Sequence, residues 1–133
     1  MLKMLQKEKA NSLVEFALAL PLLVFLLLGT FDLGHGFVTY MALANGAREG
    51  ARWLSVNPTD VAGARAQVRA EAGQVTSVNP AAVTVTITPA KSKYNAGDKV
   101  TIKASYNYLL LFGAVTGNFS VPMSIQTTMT VLY

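Results

Sequence analysis

Two carboxylates, Glu15 and Asp32, stand inside a stretch of Leu, Ala, Val and Phe near the N-terminus, and the single histidine, His35, follows Asp32 by three residues. An ionisable group beside hydrocarbon is costly and usually has a partner or a task. In a bundle of packed apolar helices a lone carboxylate destabilises, whereas one that meets a neighbour's ammonium or a Lys is compensated; Glu15 can therefore act as a register pin between chains. Asp32 has a simpler reading, as the marker of the far edge of the apolar stretch. His35, set between Gly34 and Gly36, has no second titratable group at a spacing that makes a dyad, and no phosphate-cradling glycine loop precedes a helix. With 0 Cys and 1 His there is no thiolate nucleophile, no disulfide and no paired metal ligand. No catalytic, cofactor-binding or metal-binding residue is expected, and the chain is not read as an enzyme.

The elements that must position these groups follow from composition. The chain has 133 residues, 52% of them hydrophobic and 14% charged, against about 25% charged in an average soluble domain. One small domain with an appendage fits that length, and part of it is not meant for water. Formal charge is +4, but Lys3, Lys7 and Lys9 fall in the first nine positions against Glu8, leaving eight basic and six acidic residues for the rest. So weak a balance argues against nucleic acid as a partner. From Ser12 to about Ser55 the only proline is Pro21, which predicts one continuous helix, a rod of roughly 65 Å. That is about twice the thickness of a bilayer core, and the charge-free run from Phe16 to Phe31, with its flanks, approaches the ~20 residues of a spanning helix. The three lysines before it place the N-terminus in the cytoplasm and the remainder outside. No small-residue signal-peptidase site follows, so the segment is expected to stay attached.

The stretch Asn11-Ser-Leu-Val-Glu15-Phe-Ala-Leu-Ala-Leu-Pro21-Leu-Leu, then Phe31-Asp-Leu-Gly34, then Ala44-Asn-Gly-Ala-Arg48-Glu49-Gly50-Ala51-Arg52, resembles the TadE-like proteins of tight-adherence pilus systems, relatives of type IV pilins. The resemblance implies a pilin-like fold and a basic leader that a membrane-embedded prepilin peptidase removes five residues before the Glu, here between Ala10 and Asn11. Ala10 stands where the family usually has Gly. If the leader is removed, the new amine of Asn11 on an adjacent subunit is the partner of Glu15; if it is retained, Lys7 or Lys9 is.

Further along the rod, Pro21 has no N–H for the carbonyl of residue 17, so the helix can kink or open there, a hinge for an assembling filament or a proline that a membrane helix simply tolerates. Ala42, Gly46 and Gly50 fall on one helical face, the spacing that lets two backbones approach closely. Each Gly costs roughly 1 kcal/mol of helix propensity against Ala, so packing must offset it. The expected contact is the chain's own sheet, with another subunit as the alternative. Arg48 and Arg52 form a like-charged pair, calling for Glu49, Asp60 or Glu71 nearby, unless the face is merely solvated.

The remaining residues read as a small head. Asn57-Pro58 is a helix-start signal for a short second helix to about Val75. Alternation over 82–88, from Val100 to Tyr106, and from Phe119 to Tyr133 predicts three antiparallel strands whose apolar face is covered by the outer half of the long helix and by the second helix. Between the last two strands, the loop from Leu109, Leu110, Leu111 and Phe112 to Gly117 is more apolar than loops usually are; it is either tucked under the sheet or covered by a partner or a membrane surface, and partner contact is the preferred reading.

The expected fold is thus α+β and pilin-like. Residues 1–10 form a basic leader or cytoplasmic tail, 11–55 the long helix with its transmembrane or filament-core segment, and 56–133 an extracytoplasmic head. The expected function is that of a major or minor structural subunit of a tight-adherence or type IV-like pilus. It would be held in the cytoplasmic membrane before assembly and then in an extracellular filament, with partners in other copies of itself or other pilins and in the assembly machinery. The alternative is a single-pass envelope protein whose head binds a partner without polymerising.

Overall fold

The computed structural model describes the backbone of residues 2–117 and 119–132, and the side chains of residues 11–113, 117 and 119–132. Helix α1 spans Leu2–Val56 and includes Pro21. It starts about ten residues earlier than the apolar run suggests. Leu, Lys, Met, Gln and Glu are good helix formers, and neither Gly nor Pro separates them from Asn11, so nothing stops the helix at the expected leader boundary. At the other end Asn57 closes the last turn. Its backbone N–H and its Nδ2 both donate to the carbonyl of Trp53, at 2.9 and 3.1 Å, and Pro58 follows.

Helix α2 covers Val61–Ala72, shorter at both ends than the expected 58–75. Asp60, not Asn57, is its N-cap: Oδ1 accepts from the Gly63 N–H at 2.8 Å. Either residue type caps well, but the second oxygen of Asp60 also accepts from Trp53 Nε1 at 2.9 Å, a bond that ties α2 to α1 and decides between them.

The sheet has three antiparallel strands in the order β1-β2-β3: Thr84–Thr88, Lys99–Leu109 and Ser120–Thr130. Val85 lies opposite Ala104, and Ala104 opposite Ile125, so the apolar alternation of all three strands falls on one face. β1 begins later than expected because Pro80–Ala82 make a 3-10 turn capped by the Asn79 side chain. β3 ends at Thr130 because the Val131 and Leu132 N–H groups donate to Asp98 and Ser55 instead. That last bond joins the C-terminus to the end of α1.

Leu43, Ala47, Ala51 and Leu54 of α1 form one core with Ala64, Val68 and Ala72 of α2 and with Val85, Ile87, Ile102 and Ala104 of the sheet. α1 packs on β2, β3 and α2. α2 reaches the β1 edge through two arginines, Arg65 donating to the Val85 carbonyl at 3.1 Å and Arg69 to that of Val83 at 3.4 Å. Those bonds occupy part of an edge that would otherwise stay open. Tyr94, in the connection from β1 to β2, is buried and donates its hydroxyl proton to the Pro89 carbonyl at 2.6 Å; no periodicity marks it in the sequence.

Candidate functional site

Residues 11–24 of α1 are exposed on every side. Leu18 is 75% exposed, Leu13 68% and Leu22 65%, and the helix is long and apolar enough to cross a membrane, with none of its most apolar stretch buried against the chain. An uninterrupted apolar cylinder of this kind needs lipid or other helices around it. Glu15 and Pro21 both lie on this cylinder, exposed. Among the described residues Glu15 makes no ion pair; the side chains of Lys7, Lys9 and Ala10 lie outside them, while the backbone of residues 2–11 is helical.

The head begins to cover α1 at Asp32, which is 5% exposed. Its carboxylate does more than mark an edge. Oδ1 accepts from the Leu111 N–H at 2.8 Å and Oδ2 from the Phe112 N–H at 2.9 Å. These are the first two N–H groups of a short helix, α3, Leu111–Thr116, which have no carbonyl partner within the helix; α3 replaces the expected loop between β2 and β3. α3 has no side-chain cap of its own at Leu110, so the acid that the helix start needs comes from α1. Phe112 also meets Phe25 edge to face, ring centres 5.5 Å apart. The segment is therefore not under the sheet; it lies along α1. Leu110 and Phe112 are half-buried there, while Leu109 and Leu111 remain 59% and 46% exposed. Gly113 closes the turn back: a Cβ there would lie 2.7 Å from the Phe119 nitrogen.

An open apolar groove runs between α1 and the sheet above α3, lined by Phe31, His35 and Val38 on one side and Val75, Tyr106 and Tyr108 on the other. His35 donates from Nδ1 to the Phe31 carbonyl at 3.2 Å and stacks on the Phe31 ring. Burial, and then the charge of Asp32, push the Tyr108 phenol above its ordinary range. No group of three or more His, Cys, Asp or Glu that could hold a metal occurs among the described residues.

The small face of α1 meets α2. A Cβ on Gly46 would stand 2.7 Å from the Val68 carbonyl oxygen, and one on Gly50 would stand 2.5 Å from Val68 Cγ2 and 3.3 Å from Ile102 Cδ1. Ala42 is buried on the same face. The contact is thus inside the chain, and the atoms nearest both glycines belong to α2, with Ile102 of the sheet also close to Gly50. Of the charged flank, Arg52 forms a bidentate pair with Glu49, Nε–Oε2 2.9 Å and Nη2–Oε1 2.7 Å, and this holds the Glu49 carboxyl below its usual range; Arg48 is exposed.

Among these features, sequence reasoning missed the Asp32 contact altogether. One signal bore on it: a lone acid in an apolar helix and a charge-free loop are each unfavourable alone, and each supplies what the other needs.

Residues 11–52 match the family model of TadE-like protein. The match takes in Glu15, Pro21, Asp32, Gly46 and Gly50, and agrees with the motifs that carry the resemblance. Comparison with curated proteins and with solved structures found no match to either. The TadE-like match and the long apolar helix together fit a membrane protein associated with a tight-adherence pilus.

Proposed function

From that match we infer that the chain is a pilin-like structural subunit of a tight-adherence pilus, major or minor, which assembles through its N-terminal helix. The observation that carries this reading is the contrast along α1: residues 11–24 are exposed without a contact to the head, while from Leu43 onward the same helix is part of the core of a folded head. A soluble protein would not leave such a cylinder in water, at about 25 cal/mol for each Å² of apolar surface. Before assembly the cytoplasmic membrane covers it, with Lys3, Lys7 and Lys9 inside and residues 56–133 outside. In the filament, helices of neighbouring copies or of other pilins cover it, and the heads form the sheath.

In this reading residues 1–10 are the leader, the prepilin peptidase cuts between Ala10 and Asn11, and Glu15 of one subunit meets the Asn11 amine of the next. Pro21 lets the helix bend as subunits are drawn past one another. The test is N-terminal sequencing of the protein recovered from sheared cell-surface filaments, beside protease treatment of intact cells. Recovery in filaments with Asn11 as first residue, and a head digested from outside, is the expected result. A protein found only in membranes and never in sheared material would favour the single-pass binding protein instead.

A further inference from the structure

We propose that α3 and its flanks are a second membrane-seated element, inserted in the outer leaflet beside α1, so that the protein enters the bilayer at two points. The inference rests on reading α1 as a membrane span. Three observations carry it. The first is depth: Phe112 touches Phe25, seven residues and roughly 10 Å along α1 from Asp32 toward the middle of the apolar run. If Phe25 is in lipid, so is Phe112.

The second is charge. Asp32 is the sole Asp, Glu, Lys or Arg between residues 16 and 47, and none occurs from 104 to 133. The β2–β3 end of the head, which approaches the span, accordingly carries no charged residue on α1 or the sheet apart from Asp32, whose carboxylate is buried against α3. Leu109, Leu111 and Phe119 are each about half or more exposed at this end. Charges resume at Arg48 and Lys103, farther from the span.

The third is the backbone. In hydrocarbon every N–H must find a partner within the protein, a demand water does not impose. The Leu110 N–H donates to the Phe119 carbonyl at 3.1 Å, those of Leu111 and Phe112 to Asp32, and that of Gly117 to the Gly113 carbonyl at 2.8 Å. An exposed loop in water has no need of a buried carboxylate for its first two donors; a lipid-seated helix does. The role of Asp32 is then to neutralise the polar start of α3 at the edge of the hydrocarbon, and α3 in turn fixes how deep and at what rotation α1 sits.

The chain has no Cys, so single cysteines at Leu111, Phe119, Leu18 and Thr86 can each carry a nitroxide in the full protein, reconstituted in phosphatidylcholine–phosphatidylglycerol vesicles. Collision with oxygen, which favours lipid, is compared with collision with a water-soluble nickel chelate. The expected result is oxygen-dominated collision at 18, 111 and 119, with 111 and 119 shallower than 18, and nickel-dominated collision at 86. Nickel-dominated collision at 111 and 119 with a lipid-like 18 overturns the inference and leaves the anchor standing. Nickel-dominated collision at 18 overturns the membrane reading and this inference with it. Low collision with both reagents at 111 and 119 puts another protein over α3 and also overturns it. Phe119, exposed and outside α3, keeps the test decisive if a label at Leu111 perturbs the short helix.

Discussion

Asp32 and Leu111 lie 79 residues apart in the chain, and the backbone N–H of Leu111 donates to the Asp32 carboxylate at 2.8 Å. This bond, with its neighbour to Phe112, fastens the β2–β3 connection to the point where α1 leaves the head. It makes a residue of the helix segment the cap of a helix in the head, so the two parts cannot be varied independently at that point.

Asp32→Ala is expected to leave two N–H groups of α3 without partners, at a cost of about 1–3 kcal/mol if they remain out of water. Amide exchange at Leu111 and Phe112 should rise well above that of the β2–β3 ladder. Asp32→Asn, which keeps one acceptor oxygen, should fall between. Unchanged exchange at both amides in the Ala variant would mean that the cap contributes nothing.

Glycines that look alike in the sequence are expected to respond oppositely. Sequence reasoning alone makes Gly46→Ala mild or even helpful, through helix propensity. The structure corrects this, because the added Cβ would meet the Val68 carbonyl oxygen at 2.7 Å, a backbone atom that can move only with α2. Gly46→Ala should cost about 1–3 kcal/mol of head stability. Gly34→Ala, with nothing within 4 Å of its Cβ, should be neutral or stabilise the helix by up to about 1 kcal/mol. Urea midpoints of the detergent-solubilised protein distinguish the two.

Acid should loosen the turn before β2. The Asn95 N–H, first, and then Lys91 hold the Asp98 carboxyl below its ordinary range. A carboxylate depressed in the fold contributes stability that is present above the unfolded value of about 4 and is lost as pH falls through the lower folded value. Asp98→Asn should therefore flatten the decline of the urea midpoint in acid, leaving a residual slope to which Glu49, held down by Arg52, contributes. The cations of both pairs, Lys91 and Arg52, are exposed, so high salt should shrink their parts of the effect. An identical acid profile for Asp98→Asn and wild type would sink the assignment.

Glu15→Ala is expected to abolish or strongly reduce incorporation into filaments while leaving the head folded, because Glu15 is exposed and is no part of the core of the head. Filament yield by shearing and the near-ultraviolet circular dichroism around Trp53 read the two effects separately. Normal yield would make Glu15 only a boundary residue.

Much of this protein follows from local pattern. The unbroken apolar run makes α1 long whatever surrounds it, and period-two alternation in Val83–Thr88 and Val100–Tyr106 is enough to specify strands and their inward faces, since each is a property of neighbouring residues. The motif from Asn11 to Arg52 carries the family match for the same reason. Tertiary structure alone decided three things. Asp60 displaced Asn57 as the cap of α2 because Trp53 reaches it. The glycine face met α2 more than the sheet because the backbone of Val68 approaches Gly46 too closely for any side chain. Asp32 became the cap of α3 because the turn between β2 and β3 returns to α1 at that height. In each case a polar group or a missing Cβ is met by a residue of another element, and periodicity, which reports only which face of an element is apolar, carries no information about which atom of another element will arrive there.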